Sequence, residues 1–449
     1  MARSVMGGAE AGAERLSTYR DIIGDCVHCG FCLPACPTYV SWGDEMDSPR
    51  GRIDLMKGVS DGVIALDAAV IAHFDACLGC MACVTACPSG VQYDRLIEST
   101  RATVETAARR SPLDRLFRTL IFALMPYPAR LRVSALPLVA YAKSGLQRLV
   151  RRSGLLRALP LRLAQLDALL PPLTFADLRR DVPDFTAARN GRVRARVGLV
   201  AGCVQRAFFP NVNAATVRVL SAEGCDVSVP PGQGCCGALS LHTGRLDEAK
   251  RFARALIDRF ANAPVDTIVI NAAGCGSTLK EYGELLAAEP AYAERARAFS
   301  ARVRDVSEFL VTLEPQAPRG RLERRVAYHD ACHLAHAQRV REAPRALLRS
   351  IPGLELLEIP HGDMCCGSAG TYNLLQPASA REIGERKAEA VASVGADLLA
   401  SANPGCTLQI ASIMRERGTV LPAAHPVEIL DLAISSACGG ATIPRSPST

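Results

Sequence analysis

Two short runs of cysteine constrain the fold of this chain more than any other feature of its sequence. Each run places four cysteines with two, two and three residues between them and follows the last with proline. The two runs are CVHCGFCLPACP at 26–37 and CLGCMACVTACP at 77–88. Structural zinc sites usually pair two separate C-x2–4-C knuckles, not four cysteines in one run. The spacing is instead typical of a pair of 4Fe–4S clusters.

The motif also predicts which cysteines share a cluster. Three closely spaced thiolates hold one cluster, and the fourth cysteine reaches across to the other. We therefore assign to cluster 1 Cys26, Cys29, Cys32 and Cys87. We assign to cluster 2 Cys77, Cys80, Cys83 and Cys36. The alternative is a zinc site or a set of free thiols, which two intact copies of the spacing disfavour.

Length and composition allow a multidomain protein with real cores. The chain has 449 residues, of which 49% are hydrophobic, so two or three domains are expected and general disorder is not. Residues 1–15 lack the apolar core and cleavage site of a secretory signal, and 18 cysteines without such a signal favour a reducing compartment. No apolar stretch approaches the length of a membrane span.

The cysteine motifs lie in a predicted first domain, residues 16–112, which we expect to be mostly helical and ferredoxin-like. Between them, SPRGRIDLMKGV places Ser48 as a helix N-cap and Pro49 at the first helical position. Arg50 and Arg52 on that helix either tune a cluster electrostatically or are ordinary solvated charges.

The C-terminal half contains an internal repeat. RVGLVAGC (196–203) matches RVAYHDAC (325–332), and two further segments match at nearly the same offset of 129 to 131 residues. Such a steady offset indicates duplication of one folded unit, and we place the two copies at 192–318 (repeat 1) and 319–440 (repeat 2). Apolar runs alternate with helical patterns such as 245–260, which indicates α/β packing around a mostly parallel sheet. The expected fold class is therefore α+β multidomain.

Each repeat carries four cysteines near the expected carboxyl ends of its strands, where open α/β sheets bind ligands. In repeat 1 these are Cys203, Cys235, Cys236 and Cys275. In repeat 2 they are Cys332, Cys365, Cys366 and Cys406. Four thiolates are enough to hold a further cluster, and we take the two remaining cysteines, Cys225 and Cys438, as ordinary thiols. The stretch GQGCCG (232–237) formally fits a dinucleotide fingerprint, but a lone match deep in the chain is weak, and we expect no organic cofactor.

Residues 113–180 form a basic helical connector. Residues 115–166 hold ten Lys or Arg and no Asp or Glu, whereas the whole chain has a formal charge of +7. An apolar helical face is predicted at Leu113, Leu116, Phe117, Leu120, Ile121 and Leu124. A basic amphipathic segment suits an anionic membrane surface, where each near-surface cation contributes about 1 kcal/mol. The alternative is packing on the chain's own domains or on a partner subunit. Stacking aromatics are scarce, so we expect no nucleic acid partner, and we expect a cytoplasmic protein peripheral to the inner face of the cell membrane.

This layout resembles a known family. Two ferredoxin motifs followed by two Cys…Cys-Cys-Gly…Cys repeats resemble the iron–sulfur subunit of glycolate oxidase, and GDEMDSPRGRI (43–53) is also similar to that family. The resemblance implies an electron-transfer subunit that receives electrons from a flavin subunit, which oxidises glycolate to glyoxylate on a separate chain. It also implies a second flavoprotein-like subunit and passage of the electrons towards membrane quinone. The chain alone is then not expected to act on substrate.

Two alternatives come from the same superfamily. The C subunit of anaerobic glycerol-3-phosphate dehydrogenase has a similar layout, and the catalytic Cys-Cys-Gly subunits of heterodisulfide reductases share the repeats. The latter end each repeat in Cys-x-x-Cys, whereas this chain has Thr278 and Gln409 at those final positions. The repeats therefore either bind a cluster through four thiolates or serve only for subunit docking.

Four histidines lie beside the cysteines of repeat 2: His329, His333, His336 and His361. Such a group can handle protons or contact a quinone. Support of the neighbouring ligands, or simple surface exposure, is the commoner role, and it is the one we favour here.

Overall fold

The computed structural model describes residues 19–154, 156, 160–189 and 191–437. Cys438 and Arg157, which figure in the sequence predictions, lie outside these residues, as do the outer ends of the first domain and of repeat 2. The predicted α+β multidomain fold is confirmed: a helical domain with both cysteine motifs precedes a helical connector and two α/β units. The boundaries that we assigned to these parts stay predictions.

The first domain is helical apart from its cysteine loops. Its helices are α1 (Arg20–Gly24), α2 (Pro37–Trp42), α3 (Pro49–Ser60), α4 (Ala68–Ala76), α5 (Ala82–Ala86) and α6 (Tyr93–Ala107). Helix α3 starts as its sequence indicates, because the Ser48 side chain accepts from the backbone N–H of Gly51 and Pro49 follows at the first turn. Its buried face includes Met56, which packs with Phe74 and Leu96 in one core around the cysteine loops.

The two cysteine loops share an unusual backbone. The residue before the second cysteine of each loop has a positive φ, 53° at His28 and 62° at Gly79. The residue after that cysteine also has a positive φ, 84° at Gly30 and 62° at Met81. Each loop therefore has one glycine and one larger residue in the left-handed region, where a side chain costs roughly 1–2 kcal/mol. The shared backbone conformation indicates that both loops hold the same kind of cluster.

The connector consists of short helices joined at proline or glycine. They are α7 (Pro112–Leu124), α8 (Pro128–Lys143), α9 (Leu146–Arg152) and α10 (Leu161–Ala168). The α7–α8 break falls at Pro126 and Pro128, as the sequence predicts. On its inner side the connector packs on both repeats, since Ile121 and Phe122 contact Leu374 and Leu375 of repeat 2. Helix α8 packs through Val139 and its neighbours against Phe208 of repeat 1.

Repeat 1 is built on a five-stranded sheet. Its strands are β1 (Phe185–Thr186), β2 (Ala195–Val200), β3 (Cys225–Ser228), β4 (Thr267–Ile270) and β5 (Val303–Asp305). The order is β1–β3–β2–β4–β5, and only the edge strand β1 runs antiparallel to its neighbour. The helices around it are α11 (Val204–Phe208), α12 (Pro210–Ala222), α13 (Ala238–Leu241), α14 (Leu246–Phe260), α15 (Ala273–Lys280), α16 (Tyr282–Leu285), α17 (Ala293–Arg302) and α18 (Val306–Leu310). The central strands are apolar runs because helices cover both faces of the sheet.

Repeat 2 has the same strand order but, among its described residues, lacks a counterpart of the antiparallel edge strand β1. Its strands are β6 (Arg324–His329), β7 (Leu354–Glu358), β8 (Leu398–Ser401) and β9 (Ala423–Ala424), in the all-parallel order β7–β6–β8–β9. A π-helical turn at His333–Ala337 follows β6. The remaining helices are α19 (Glu342–Arg349), α20 (Tyr372–Leu375), α21 (Pro377–Ser393), α22 (Pro404–Glu416) and α23 (Pro426–Ala437).

The two repeats pack into one body. A shared hydrophobic core joins strands and helices of both, including Val269 of β4 and Ala400 of β8. Just beyond these two strands the repeats touch directly, because the backbone N–H of Ala273 donates to the carbonyl oxygen of Ala402 at 3.1 Å. The carboxyl ends of the two sheets therefore face a common region. In the described residues, no helix is both long and apolar enough to cross a membrane.

Candidate iron–sulfur centres and the cavity beside them

The cysteines that we assign to cluster 2 lie together in the interior. One small cavity is lined by all four of them, together with Arg52 and Tyr93. The four are buried: Cys36, Cys77, Cys80 and Cys83. Cys36 comes from the first motif and reaches this group because it begins α2, which packs against the segment before α3. The structure thus brings together the residues that the crossed assignment predicts, although the assignment itself stays a prediction.

Arg52 is a buried cation beside this cavity. Its side chain is 1% exposed and donates to Asp47 at 3.0 Å, to the carbonyl oxygen of His73 at 2.7 Å and to Thr38 at 3.2 Å. Of the two alternatives left open by the sequence, the structure places Arg52 beside the cluster cysteines and not in solvent. Its charge acts on Cys77, which makes it a fixed positive charge next to a site that gathers thiolates.

The environment of Cys77 favours its thiolate. Burial raises the pKa of this thiol, but the charges of Arg52 and Arg101, together with hydrogen bonds from Gly79 and Tyr93, lower it, and the net pKa lies below the usual value. The backbone N–H of Gly79 donates to its Sγ at 3.4 Å, and the hydroxyl of Tyr93 donates at 3.7 Å. Thiolates are the form in which cysteine binds metals.

The cysteines that we assign to cluster 1 lie nearer the surface. Cys29 is exposed, and Cys26, Cys32 and Cys87 are half-buried. Burial raises the pKa of Cys26, and the charge of Cys87 raises it further, so the last cysteine of the second motif is a neighbour of the first motif. Burial raises the pKa of Cys32 to about 11.

The four cysteines of repeat 1 form a compact chain of thiols. The Sγ atoms of Cys203 and Cys235 are 3.6 Å apart, and hydrogen bonds continue from Cys235 to Cys236 and from Cys236 to Cys275. Hydrogen bonds from Cys235 and Cys275 hold the pKa of Cys236 well below its usual range. Cys203 and Cys275 follow β2 and β4, as predicted, whereas the adjacent pair lies on the longer loop after β3.

Repeat 2 reproduces this arrangement. Hydrogen bonds link Cys332 to Cys365, Cys365 to Cys366 and Cys366 to Cys406, and those from Cys365 and Cys406 hold the pKa of Cys366 well below its usual range. One residue has no counterpart in repeat 1, because His329 also contacts Cys366. Soft thiolates in this number and at these distances fit an iron–sulfur centre in either repeat.

The glycine of each Cys-Cys-Gly motif is required by geometry. Gly237 and Gly367 have φ angles of 87° and 83°, in the region that favours glycine. A Cβ at Gly367 would also overlap the carbonyl oxygen of Ala380 in α21, and a Cβ at Gly237 would lie 3.0 Å from the carbonyl oxygen of Ala249 in α14. The glycine therefore lets the loop with the cysteine pair approach a helix closely, which explains the three-residue motif.

The ferredoxin-like domain is docked on both repeats at these centres. Cys80 and Cys332 lie in one buried cluster, and their charges interact. On the same contact, His333 Nε2 donates to the carbonyl oxygen of Gly79 at 2.9 Å, and His336 Nδ1 lies 2.7 Å from Thr85 Oγ1. Two of the four flagged histidines are thus interdomain contacts, which agrees with the structural role that the sequence favours.

A second histidine cluster was not apparent from the sequence. The ring of His242 packs edge-on against that of His333, with centroids 4.8 Å apart, and its Nδ1 lies 3.1 Å from Glu98 of α6. Burial lowers the pKa of His333 to about 3, so this ring stays neutral. His242 lies six residues after a cysteine pair and pairs with a residue 144 positions away, and no local pattern gives that distance.

A cavity of about 620 Å³ opens beside both sets of repeat cysteines. Its inner end reaches seven of those eight thiols and the His242–His333 pair. Its walls are mostly apolar and come from the connector, from α13 and from the loop before α20. Four leucines of the connector line it and are also exposed to solvent, which places them at its mouth: Leu120, Leu138, Leu163 and Leu166.

The connector exposes much of its apolar surface. Of the exposed large hydrophobic residues in the described parts of the chain, more than half lie between residues 113 and 166. They are Leu113, Leu116, Leu120, Val133, Leu136, Leu138, Leu146, Leu149, Leu161, Leu163 and Leu166. The predicted apolar face of α7 is divided: Phe117, Ile121 and Leu124 turn towards the cavity, Leu120 lies at its mouth, and Leu113 and Leu116 face solvent. An exposed apolar surface of this extent marks an interaction site.

The positive charge of the connector is partly neutralised. Asp114 and Asp167, which lie just outside the acid-free stretch, pair with Arg162 at 2.6 Å and Arg151 at 2.7 Å. Within the described residues of the stretch 115–166, five basic side chains form no ion pair: Arg115, Arg130, Lys143, Arg148 and Arg152. Arg130 lies over the ring of Tyr127, and these five side chains carry the charge that remains unpaired.

Family models match within each of the four parts of the chain that we predict. A 4Fe–4S dicluster domain matches residues 22–91, and a cysteine-rich domain matches residues 197–280 and 326–411. Residues 113–170 match a family described as the linker region of the glycolate oxidase iron–sulfur subunit. The connector is therefore a recognised part of that family and not a variable spacer.

Full-length relatives agree with these matches. The probable glycolate oxidase iron–sulfur subunit of Bacillus subtilis (strain 168) is 40% identical over 92% of this chain and 94% of its own length. The chain belongs to the family of glycolate oxidase iron–sulfur subunits. The Escherichia coli (strain K12) glycolate oxidase iron–sulfur subunit is 36% identical over the same shares. Lactate utilization protein A of Shouchella clausii is 32% identical over 52% of this chain and 98% of its own length.

The family membership confirms the predicted cofactor class. The dicluster domain covers both ferredoxin motifs, so the iron–sulfur clusters expected from the cysteine spacing are confirmed, and the chain is an iron–sulfur electron-transfer subunit. When bound, these clusters supply one-electron redox chemistry, with potentials set by charge, hydrogen bonds and exposure. The chain's own residues supply the thiolates, the buried Arg52 and the contacts that hold the centres together.

Proposed function

We propose that this chain conducts electrons within a 2-hydroxy-acid oxidase complex. A flavin subunit on another chain oxidises glycolate to glyoxylate, and this chain receives the two electrons and passes them to membrane quinone. The observation that carries the proposal is the order of the thiol centres. They run from the half-exposed cluster 1 cysteines, through the buried cluster 2 cysteines, to Cys332 beside the large cavity.

Electron entry is proposed at cluster 1, held by Cys26, Cys29, Cys32 and Cys87. Val27 and Phe31 flank Cys29 in this loop and are 67% and 66% exposed. An apolar rim around an exposed cluster ligand suits docking of a protein partner, because exposed apolar patches mark protein–protein interaction sites. We propose that the flavin subunit docks on this rim. The second flavoprotein-like subunit completes the complex.

Electron exit is proposed at the cavity. Cluster 2, held by Cys77, Cys80, Cys83 and Cys36, adjoins repeat 2 at Cys332, which lines the inner end. The volume of about 620 Å³ falls within the roughly 300–1,000 Å³ of small-molecule sites. Its apolar walls suit an isoprenoid quinone, and reduction of one quinone takes the two electrons of one glycolate with two protons from water. The balance closes without a further reactant.

The exposed connector leucines support docking on the membrane that holds such a quinone. Apolar side chains with free cations beside them are the pattern of a surface that lies in an anionic lipid interface. The cavity mouth lies among these leucines, so a lipid-soluble quinone would enter without crossing water. The location proposed for the chain is therefore the cytoplasmic face of the cell membrane.

Lactate is a second candidate donor. Relatives named lactate utilization protein A match about half of this chain at 30–32% identity, and lactate, like glycolate, is a 2-hydroxy acid. Either acid would be oxidised on the partner subunit, so the electron path through this chain is the same for both.

The proposal is tested by following cluster reduction. The purified chain, kept anaerobic, is mixed with glycolate, with and without the flavin subunit encoded beside it or co-purified with it. We expect glycolate to bleach the visible cluster absorbance only when the flavin subunit is present. Glycolate oxidation by the flavin-free chain, or clusters that stay oxidised beside an active flavin subunit, would refute the proposal.

A further inference from the structure

His329 is a buried histidine whose ring has no nitrogen or oxygen partner. It is the last residue of β6, it is 0% exposed, and among the described residues the hydrogen-bonding group that its ring meets is the thiol of Cys366, which leaves at least one ring nitrogen unpartnered. A buried polar group without a partner costs roughly 1–3 kcal/mol, so such groups call for an explanation. A bound metal is one explanation, because neutral imidazole is a common metal ligand.

The ring of His329 lies against the thiols of repeat 2. One ring nitrogen of His329 and the Sγ atoms of Cys366 and Cys406 all lie within 4.8 Å of one another. Two ligands of one metal, each about 2.0–2.3 Å from it, are at most about 4.6 Å apart, so this spacing is close to that of a shared coordination sphere. His425, another buried histidine of repeat 2, is different because its Nδ1 accepts from the backbone N–H of Val427.

Repeat 1 has no histidine at the corresponding position, and its His242, which acts on Cys236, is paired with Glu98. The residue at the end of β2 that corresponds to His329 is Val200, which is buried in the apolar core. The two repeats therefore share four thiols each but differ at this fifth position. The difference distinguishes their chemistry despite their common fold.

The fifth ligand is not available from the far end of repeat 2 either. Gln409 stands where a terminal cysteine is absent, and its amide is fully engaged. Its Nε2 donates to the carbonyl oxygen of Ala380 at 3.0 Å, and its Oε1 accepts from Asn373 at 3.0 Å and from Gln165 at 3.4 Å. Gln165 belongs to the connector helix α10, so this amide ties the connector to the repeat and leaves the cysteines to other groups.

We propose that repeat 2 holds an iron–sulfur centre in which His329 is a ligand beside the thiolates of Cys332, Cys365, Cys366 and Cys406, whereas any centre in repeat 1 is bound by thiolates alone. The proposal rests on the electron-transfer function proposed above only for its role, since the ligand set follows from the geometry. Replacing thiolate by neutral imidazole raises the reduction potential of an iron–sulfur centre. A histidine-ligated centre next to the cavity is thus suited to be the last acceptor before the quinone.

Pulsed electron paramagnetic resonance of the whole chain tests this ligand directly. The anaerobic protein is prepared with natural histidine and with ¹⁵N-histidine, and spectra are recorded in its oxidised and reduced states. We expect a histidine nitrogen coupling that changes with the isotope. A wild-type chain that contains only about eight iron atoms, as two cubes require, or that shows no histidine coupling, would overturn the proposal.

Variants of single histidines identify the side chain that supplies the coupled nitrogen. His329→Val reproduces the side chain of repeat 1 and should lose the coupling and the iron of repeat 2, while the ferredoxin signals and any iron of repeat 1 remain. His329→Cys should regain the iron without the coupling and with a lower potential. The matched control is His425→Asn, which should keep both. A coupling that persists in His329→Val would place the ligand elsewhere.

The ligand assignment and the electron-transfer proposal can be refuted independently of each other. In His329→Val, glycolate with the flavin subunit should still reduce the ferredoxin clusters, because the change lies beyond them. Loss of the nitrogen coupling with normal ferredoxin reduction supports the ligand assignment. Absence of ferredoxin reduction already in the wild-type chain would instead refute the electron-transfer proposal and leave the histidine result intact.

Discussion

Cys80 of the second ferredoxin motif and Cys332 of repeat 2 face each other in one buried cluster, although 252 positions separate them in the sequence. Their proximity joins two parts of the chain that have separate cores and separate cysteine sets. In the proposed electron path, the step from the ferredoxin centres to the repeats therefore needs no other chain. The predictions that follow test its successive parts.

Replacing the fourth cysteine of each motif by serine should test the crossed assignment of the cluster ligands. We expect Cys36→Ser to damage the cluster held by Cys77, Cys80 and Cys83, and Cys87→Ser to damage the other, because each serine replaces a ligand across the pair. Iron content and electron paramagnetic resonance of the reduced protein report which cluster is lost. Cys225→Ala is the control, since this cysteine lies in the core of repeat 1. If each serine affected only its own motif's cluster, the crossed assignment would be wrong.

Replacing Arg52 should lower the reduction potential of cluster 2. The buried guanidinium stabilises negative charge that is added to the cluster on reduction. Arg52→Gln therefore removes a positive charge that stabilises the reduced state. We expect a shift of about 60 mV or less, equivalent to up to roughly tenfold in the one-electron equilibrium. Arg52→Lys, which keeps the charge beside Asp47, should shift it less. Redox titration followed by electron paramagnetic resonance measures both, and an unchanged or higher potential in Arg52→Gln would contradict the role.

Blocking the cavity mouth should weaken quinone binding. Leu138→Trp with Leu163→Trp adds bulk to two mouth residues that are 43% and 47% exposed. The control pair is Leu136→Trp with Leu161→Trp, on the same two helices and 43% and 44% exposed, but away from the cavity.

For the mouth pair we expect the Kd for a short-chain quinone, measured by anaerobic equilibrium dialysis, to rise at least about tenfold. The control pair should bind like the wild-type chain. Equal weakening in both pairs would argue against entry by this route. A fatty acid of equal length that binds as tightly as the quinone would show that the cavity selects only apolar volume.

Membrane binding should depend on the unpaired cations of the connector. Arg148→Gln with Arg152→Gln removes two of them, and at about 1 kcal/mol each the partition onto anionic vesicles should fall roughly ten- to thirty-fold. Arg321→Gln with Arg349→Gln makes the same charge change on repeat 2 and should have little effect. Co-sedimentation at low and high salt measures both. Equal recovery with neutral and anionic vesicles would contradict the electrostatic part of the docking.

The stability of repeat 1 should carry a pH dependence from Asp305. This carboxyl group is fully buried at the start of α18, and burial raises its pKa to about 6 although Ser307 N–H and Lys280 oppose the rise. The folded state therefore binds the proton more tightly than the unfolded state, whose pKa is about 3.9. The contribution is full below pH ~4, is lost as the pH rises through ~6, and leaves a deficit of roughly 2–3 kcal/mol above it.

Asp305→Asn should remove that deficit while keeping an acceptor for the Ser307 N–H. We expect the melting temperature of the variant to exceed that of the wild-type chain at pH 8, and the gain to shrink towards pH 5, in anaerobic scanning fluorimetry. Asp305→Ala, which also removes the helix cap, should lose most of the gain. A gain that is constant with pH would show that the carboxyl group titrates normally.

Local patterns in the sequence predicted much of this structure. The helix start at Ser48 and Pro49 depends on chemistry within a few residues, and so does the break at Pro126. The duplication is visible in the sequence because three segments of repeat 2 match repeat 1 at a steady offset, and the four strands that the two sheets share have the same order.

What the sequence did not give depends on contacts between distant segments. The sequence predicts one apolar face on α7, but Ile121 meets Leu374 of repeat 2 while Leu116 remains in solvent. The acid-free stretch ends one residue before Asp167, which pairs with Arg151. In the sequence His329 is only a neighbour of Cys332, and its approach to Cys406 depends on the pairing of strands in the sheet.

The exposure of Cys29 sets the order in which oxygen can damage this protein. A cluster bound at an accessible thiolate meets oxidants first, while the cluster beside buried Cys80 is shielded by two domains. Brief exposure to air should therefore destroy cluster 1, where electrons are proposed to enter, before it destroys cluster 2. A preparation in that state would still be brown and rich in iron, yet its partner could no longer reduce it.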